Sequence, residues 1–198
     1  MAVICDGIGG LSKGEEASSY VVRQLINWFM TEGYQLPIKK QKQKLQQLCF
    51  QIHEEMIGFG EENNISLGTT MTCVMFHGKQ LLWAHCGDCR LYLLRRRKIK
   101  LLTKQDHNQK GQLTRAIGVG EWHLLSMGRR RIKRKDKWLL CSDGLYRQLQ
   151  EEELRFCGKR KIGNDEQARR LLKQLWEKKQ NIKGKDNASA LYFGYIEK

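Results

Sequence analysis

The sequence has a single proline and no apolar run long enough to cross a bilayer. The longest apolar runs, such as residues 81–84 and 138–141, are far shorter than the roughly 20 residues that a membrane-spanning helix needs. The segment before Asp6 is too short for a secretory signal peptide. Hydrophobic residues make up 40% and charged residues 29% of the chain, which excludes a disordered composition. We therefore expect a soluble, cytoplasmic protein with one folded domain over residues 1–198.

Cysteine usage argues against disulfides and against a zinc site. The chain has seven cysteines, an odd number, and most lie in apolar segments where a free thiol packs as a small hydrophobe. Cys86 and Cys89 form a CxxC pair, but there is no second pair to complete a four-cysteine zinc site. A redox pair would need to open a helix. We interpret this spacing as chance and expect free thiols in a reducing compartment.

Positive charge is in large excess. Lysine and arginine number 36 against 21 aspartates and glutamates, so the net charge is +15, concentrated in residues 95–100 and 129–135. Such clusters could bind nucleic acid, flank solvated hairpins, or steer phosphorylated proteins toward a nearby site. The sequence has no recognition helix, zinc finger or RNP-like pattern, which makes nucleic acid the weakest of these partners.

Periodicity predicts a chain in which helices and antiparallel strands are mixed. A strand ending at Cys5 meets a glycine-rich loop, and apolar residues then recur at helical spacing from Gly14 and again up to about Ile57. The later segments are predicted to be β-strands separated by turns. The predicted hairpins are 70–76 with 81–86, 90–94 with 98–102, and 122–127 with 131–142, followed by helices at 151–156 and 165–178 and a strand at 188–196. The fold class is therefore α+β with antiparallel sheets.

Three aspartates lie where a predicted strand meets a loop. Asp6 follows the first strand, Asp143 follows residues 138–142, and Asp186 nearly adjoins the last strand. If these strands are neighbours, three carboxylates converge, and cations are needed to neutralise them. Oxygen ligands without histidine favour Mg²⁺ or Mn²⁺ over zinc. A single Asp-Gly pair is also common in turns. The metal site is favoured because an aspartate occurs at a strand end three times.

Seven sequence strings, in order and covering nearly the whole chain, resemble the motifs of one enzyme family. They are AVICDGIGGLSKGEEAS, GTTMTCVMF, LWAHCGDCRLYLL, LLTKQDH, LTRAIG, WLLCSDGLY and KDNASALYFGY. Their order and spacing are similar to those of the PPM, or type 2C, metal-dependent protein serine/threonine phosphatases. Ile8 stands where many eukaryotic members have histidine, which points to a bacterial-type chain.

The resemblance implies both a fold and an activity. The fold would be an antiparallel β-sandwich flanked by helices, in four α-β-β-α layers, here lacking the family's N-terminal strands. The activity would be hydrolysis of phosphoserine and phosphothreonine by a water shared between two Mn²⁺ or Mg²⁺ ions, with a third ion as an option. The partners would be phosphorylated proteins and a cognate serine/threonine kinase.

The resemblance also assigns residues to the site. Asp6 would bridge two metals, the Gly7 carbonyl would bind one of them, and Asp143 and Asp186 would hold the other. Asp88 would bind a third metal or, equally well, orient the neighbouring strand.

The same resemblance gives secondary roles to nearby residues. Thr69 and Thr70 would hydrogen-bond beneath the site, and Asn187 would order the last loop. His107 would be structural rather than a general acid. The chain has no CxxxxxR loop, so Cys141 is expected to belong to the core.

Two departures from the family put the activity in question. Family members carry a phosphate-binding arginine and an acidic metal ligand upstream of the first Asp-Gly, yet only five residues precede Asp6 here. The chain would then be either a fragment with a misplaced start, which we favour, or a naturally shortened member. Bacterial members also insert a flap where this chain has only residues 108–112. The alternative function is a pseudophosphatase that binds partners without hydrolysis.

Overall fold

The computed structural model describes residues 1–95, 98–159, 165–177 and 187–194. Backbone contacts divide the chain into two compact units, Met1–Cys89 with Gln105–Arg131 and Arg90–Lys104 with Ile132–Lys198. Within the described residues each unit contains a four-stranded antiparallel sheet and helices, which confirms the α+β prediction. The extent of the domain as residues 1–198 stays a prediction.

The first unit combines four strands with two long helices. Its strands are ordered β1-β2-β3-β6. The elements are β1 (Ala2–Ile4), α1 (Gly14–Thr31), α2 (Ile38–Asn63), β2 (Met71–His77), β3 (Gln80–Cys86) and β6 (Ser126–Arg131), with a 3₁₀ turn at Gly33–Gln35.

Both helices of this unit bury the faces that their periodicity predicts. Ala17, Val21 and Leu25 of α1 are fully buried, and the corresponding face of α2 packs in the same core with residues of β2 and β3. α2 continues past its predicted end at about Ile57, and both Gly58 and Gly60 belong to the helix. It ends at Asn63, and the capping residue Asn64 adopts a left-handed conformation with φ of 52°.

The second unit is arranged in the same way. Its strand order is β5-β4-β7-β8, and its elements are β4 (Arg90–Arg95), β5 (Lys98–Leu101), β7 (Lys137–Cys141), α3 (Asp143–Tyr146), α4 (Glu151–Lys159), α5 (Asp165–Glu177) and β8 (Ala190–Gly194). Leu139 and Cys141 of β7 form a core with Leu154 of α4 and Leu171 of α5. The predicted helices and last strand are confirmed here.

The third predicted hairpin is wrong. β6 pairs with β3, whereas β7 pairs with β4 and β8, so the two strands belong to different sheets. Residues 122–125, which were predicted to begin this strand, lie outside β6. The Leu125 amide donates to the Gln46 side chain at 3.1 Å instead of to a neighbouring strand. Trp122 packs instead against His53 of α2.

The turn between β6 and β7 is fixed by a buried carboxylate. Asp136 has a fully buried side chain and accepts two hydrogen bonds from Arg95, each at 2.7 Å, and a third from the Lys133 amide at 2.8 Å. This pairing raises the pKa of the Arg95 guanidinium. One arginine of the predicted basic clusters is therefore an internal ion-pair partner, whereas Arg129 and Arg130 on the edge strand β6 are exposed.

Among the described residues, no helix is both long enough and apolar enough to cross a membrane.

The pairing of Trp83 with Gly128 gives a test of the β3–β6 register. These residues are opposite each other, and a Cβ at Gly128 would come within 2.0 Å of the Trp83 ring. Gly128→Ala should therefore lower the free energy of unfolding by about 1–3 kcal/mol, as overpacking does. Gly58→Ala is the matched control: a Cβ there meets nothing within 4 Å, and alanine in a helix should stabilise by roughly 0.5–1 kcal/mol. Equal effects in urea unfolding would contradict the register.

Candidate active site

Asp6 follows β1 and is fixed by hydrogen bonds to two buried threonines. The Asp6 amide donates to Thr70 Oγ1 at 3.1 Å, and the Asp6 carbonyl accepts from the Thr70 amide and from Thr69 Oγ1, both at 2.9 Å. Thr69 is fully buried and Thr70 is 3% exposed. The predicted hydrogen bonding of these threonines is confirmed, whereas the site above them stays a prediction. Both backbone polar groups of Asp6, the amide and the carbonyl, are therefore hydrogen-bonded to the threonines.

Gly7 lies where no side chain fits. A Cβ on Gly7 would come within 2.4 Å of the backbone of Gly14, the first residue of α1. The antiparallel bridge between Gly7 and Thr69 is made by the Asp6 carbonyl and by the Ile8 amide, which donates to the Gly68 carbonyl at 3.0 Å. This bridge does not use the Gly7 carbonyl, which is the group predicted to bind a metal.

The turn that carries Asp88 packs against the same threonine. Gly87 has φ of 111°, and a Cβ there would come within 2.6 Å of the Thr70 side chain, so only glycine fits. The thiol of Cys89 lies 3.4 Å from Thr70 Oγ1. Thr70 therefore contacts both segments of the first unit that carry predicted metal ligands.

Asp88 has a histidine partner. Its carboxylate is 3.3 Å from His107 Nε2, and the residue is 8% exposed. The adjacent Gly87 amide donates to Asp106 at 2.9 Å, and Arg115 approaches the same carboxylate at 3.3 Å. These contacts support the interpretation of Asp88 as a positioning residue. Asp106 and Arg115 had no assigned role, although both belong to the quoted strings, because a pairing between distant loops leaves no periodic signal.

The segment at which bacterial members of the family insert a flap is here a short turn, residues 108–112, closed by its own hydrogen bonds. The Asn108 side chain accepts from the amides of Lys110 and Gln112 at 2.9 and 3.0 Å, and the Asn108 amide donates to the Gln112 carbonyl at 2.9 Å. His107 and Leu113 form a bridge at its base. The absence of a flap between these residues is confirmed.

Asp143 lies at the start of α3 in the second unit. Its carboxylate is 14% exposed and is 2.9 Å from Arg147, which is 62% exposed. The preceding Ser142 extends the β7–β8 pairing by one residue, since its amide donates to the Ser189 carbonyl and its hydroxyl accepts from the Ser189 amide, both at 3.0 Å. Asp186 lies outside the described residues, and Asn187 is exposed.

Arg90 is a further residue that the sequence did not single out. It ends the Gly-Asp-Cys-Arg string, its guanidinium lies 3.8 Å from the centre of the Tyr146 ring, and it donates to the Tyr92 hydroxyl at 3.0 Å. The contact with Tyr146 fixes β4 against the segment that follows Asp143, and the hydrogen bond to Tyr92 lies within β4.

Six of the seven cysteines are buried, and Cys5 is partly buried. All seven are free, and Cys141 is fully buried, as predicted for a core residue. Burial raises the pKa of the Cys141 thiol to about 12 and that of Cys86 to about 11. Neutral, buried thiols are poor nucleophiles. The geometry agrees with the interpretation of the CxxC spacing as chance.

The donor groups suit a hard cation, although the described residues include no group of three or more histidine, cysteine or acidic side chains that could hold a metal. The predicted ligands Asp6, Gly7 and Asp143 offer only carboxylate and carbonyl oxygens, which are the ligands of Mg²⁺ and Mn²⁺. Because Asp186 is not described, the full ligand set stays a prediction.

Comparison with known proteins identifies the family. The sequence model described as "Protein phosphatase 2C" matches residues 1–183. The chain belongs to the protein phosphatase 2C family, as its seven strings indicated. Its curated relatives include the serine/threonine phosphatase stp of Listeria monocytogenes, 26% identical over 176 residues that make up 78% of this chain and 69% of that protein.

A second relative extends the comparison to a structure with metals. The serine/threonine protein phosphatase PstP of Mycobacterium tuberculosis is 28% identical over 175 residues, 78% of this chain and 33% of PstP. A solved PstP catalytic domain in complex with two manganese ions matches the fold with a TM-score of 0.74 at 27% identity, covering 96% of this chain and 84% of that chain. The chain thus spans about a third of the length of PstP.

Thr70 offers a test of how Asp6 is held. Thr70→Val keeps the shape but leaves the Asp6 amide without its acceptor, so the free energy of unfolding should fall by about 1–3 kcal/mol. Thr70→Ser keeps the hydroxyl and should cost only about 0.8 kcal/mol for the lost methyl group. Urea denaturation measures both, and an equal loss in the two variants would show that packing, not the hydrogen bond, holds the Asp6 turn.

Proposed function

We propose that this chain is a metal-dependent protein serine/threonine phosphatase. The observation that carries the proposal is the Asp6–Gly7 turn, fixed by buried threonines within a chain of the protein phosphatase 2C family. Relatives named serine/threonine phosphatases support the substrate class, which is phosphoserine and phosphothreonine in proteins. A cognate serine/threonine kinase would supply these substrates. Because one family model covers residues from both units, we also propose that they form a single domain.

The proposed metal ligands are Asp6, the Gly7 carbonyl, Asp143 and Asp186, with Asp88 as a ligand for a third ion. Mn²⁺ or Mg²⁺ suits these oxygen donors, and the two manganese ions of the PstP structure support the choice. Such ions, when bound, neutralise phosphate charge and lower the pKa of water for in-line attack on phosphorus.

The chain's own residues contribute positioning. Thr69 and Thr70 fix the Asp6 backbone, and a fixed backbone limits the directions open to its carboxylate. The Gly7 carbonyl takes part in neither hydrogen bond of the bridge between Gly7 and Thr69. It could therefore bind a cation without breaking a hydrogen bond of that bridge. The short turn at residues 108–112 replaces a flap, so we expect substrate selection to depend on surfaces other than a lid.

One observation favours the alternative of a catalytically impaired binding module. Asp143 and Asp88 both have cationic or potentially cationic partners, Arg147 and His107. The Arg147 pair is weak, however, because the Arg147 side chain is 62% exposed to water and an i,i+4 pair on a helix contributes only about 0.3–0.5 kcal/mol. A divalent cation can displace such a partner at little cost. The phosphatase is therefore the function that the geometry supports better.

Asp143 tests the proposed activity. With Mn²⁺, the chain should hydrolyse p-nitrophenyl phosphate and a phosphothreonine peptide. Asp143→Asn should lower kcat/KM by more than about 100-fold, since loss of a residue that only orients a metal ligand already costs about 10- to 100-fold. Arg147→Ala is the control, because it removes the partner of Asp143 and keeps the ligand; its activity should equal or exceed that of the parent.

Metal removal separates the two functions. EDTA should abolish turnover, and added Mn²⁺ should restore it and raise the thermal midpoint, because a ligand that binds only the folded state stabilises it. A rise in the midpoint without turnover would favour the binding module. Turnover that survives EDTA would contradict a metal-dependent phosphatase.

A further inference from the structure

A cleft with a volume of about 650 Å³ is lined by α1, α2 and Leu67. This volume falls within the roughly 300–1,000 Å³ of typical ligand pockets. The apolar part of the cleft is formed by Met56 and Leu67, which are buried, and by Phe59, which is 49% exposed. An aromatic side chain half exposed beside a cleft is a natural anchor for an apolar group of a partner.

The walls of the cleft are fixed by the fold. The Tyr20 hydroxyl of α1 donates to Glu55 of α2 at 2.6 Å, which joins the two helices. This hydrogen bond raises the pKa of Tyr20, so the hydroxyl remains a donor at neutral pH. Ala17 and Val21 bury the inner face of α1 in the core of the unit. The cleft is therefore preformed rather than created by binding.

The charge of the cleft is opposite to that of the chain. Glu15, Glu16 and Glu55 line it together with Arg23, and Lys13 pairs with Glu16 at 2.5 Å. Carboxylates thus outnumber cationic groups along these walls, on a chain whose net charge is +15. A peptide that binds in this cleft should have a positively charged side chain to pair with the glutamates and an apolar side chain to pack against Phe59.

The cleft adjoins the Asp6–Gly7 turn. Glu15 directly follows Gly14, whose backbone a Cβ on Gly7 would touch, and Leu67 directly precedes Gly68, whose carbonyl accepts from the Ile8 amide. An extended peptide advances about 3.3 Å per residue. A peptide with its phosphate at Asp6–Gly7 would therefore reach the cleft with residues only a few positions away.

We propose that this cleft binds the segment flanking the phosphorylated residue of a protein substrate and selects segments in which lysine or arginine adjoins a large apolar residue. The proposal rests on the proposed function, since it names the substrates that the same site would take. It assigns recognition of the flanking sequence to α1 and α2.

The test compares two phosphothreonine peptides of equal length, one with Lys-Leu pairs on both sides and one with Ser-Ala pairs. The parent chain should favour the first by about 5- to 10-fold in kcat/KM at low salt, mainly through KM, because charge contacts near the surface are modest and screened by salt. The double variant Glu15→Gln, Glu55→Gln should lose most of this preference. Glutamine at position 55 can still accept from Tyr20, so the fold is retained.

The double variant Glu54→Gln, Glu62→Gln is the matched control. It makes the same charge change at two exposed residues of α2 that do not line the cleft, and it should keep the preference. Equal kcat/KM for the two peptides in the parent chain would overturn the proposal, as would a preference that the double variant keeps.

Binding of the unphosphorylated Lys-Leu peptide, followed by fluorescence anisotropy, separates this proposal from the proposed function. The parent should bind this peptide more tightly than the Ser-Ala peptide, and the double variant should lose the difference. If no peptide is hydrolysed but this difference is found, the phosphatase activity fails and the cleft proposal holds. If peptides are hydrolysed without any difference in binding or rate, only the cleft proposal fails.

Discussion

The first unit depends on the hydrogen bonds and contacts of one buried residue, Thr70. Its hydroxyl accepts from the Asp6 amide, its amide donates to the Asp6 carbonyl, and its side chain packs on Gly87 beside Asp88. A short polar side chain directly before β2 thus positions two segments that are far apart in sequence. Gly87 must be glycine because a Cβ there would meet the Thr70 side chain, and Gly7 must be glycine because a Cβ there would meet the backbone of Gly14.

Periodic features were predictable from the sequence, and pairings that depend on distant loops were not. The spacing of Ala17, Val21 and Leu25 predicted α1 because a 3.6-residue period directly reports a buried face. Alternation predicted the strands of 122–142 less well, because it cannot say which strand pairs with which. β6 and β7 are neighbours in sequence yet belong to different sheets.

The candidate site shows the same division. Asp6 and Asp143 were predicted from their positions at strand ends and Gly7 from the family resemblance, and the seven strings led to the family that the comparison confirms. Two pairs were not predicted, Asp88 with His107 and Asp106 with Arg115, because the members of each pair meet only after folding. The acidic cleft was missed because the net charge of +15 conceals a local excess of glutamate.

If the Asp6–Gly7 turn is part of a metal site, the paramagnetic effect of bound Mn²⁺ on ¹⁵N-labelled protein should locate the ion there. At substoichiometric Mn²⁺, the amide signals of residues 6–8 and 69–70 and of Asp143 should lose intensity first, while Mg²⁺ at the same concentration should leave intensities unchanged. Loss that begins at the exposed glutamates 61–62 or 151–152, with residues 6–8 unaffected, would show that the Asp6–Gly7 turn does not bind the metal.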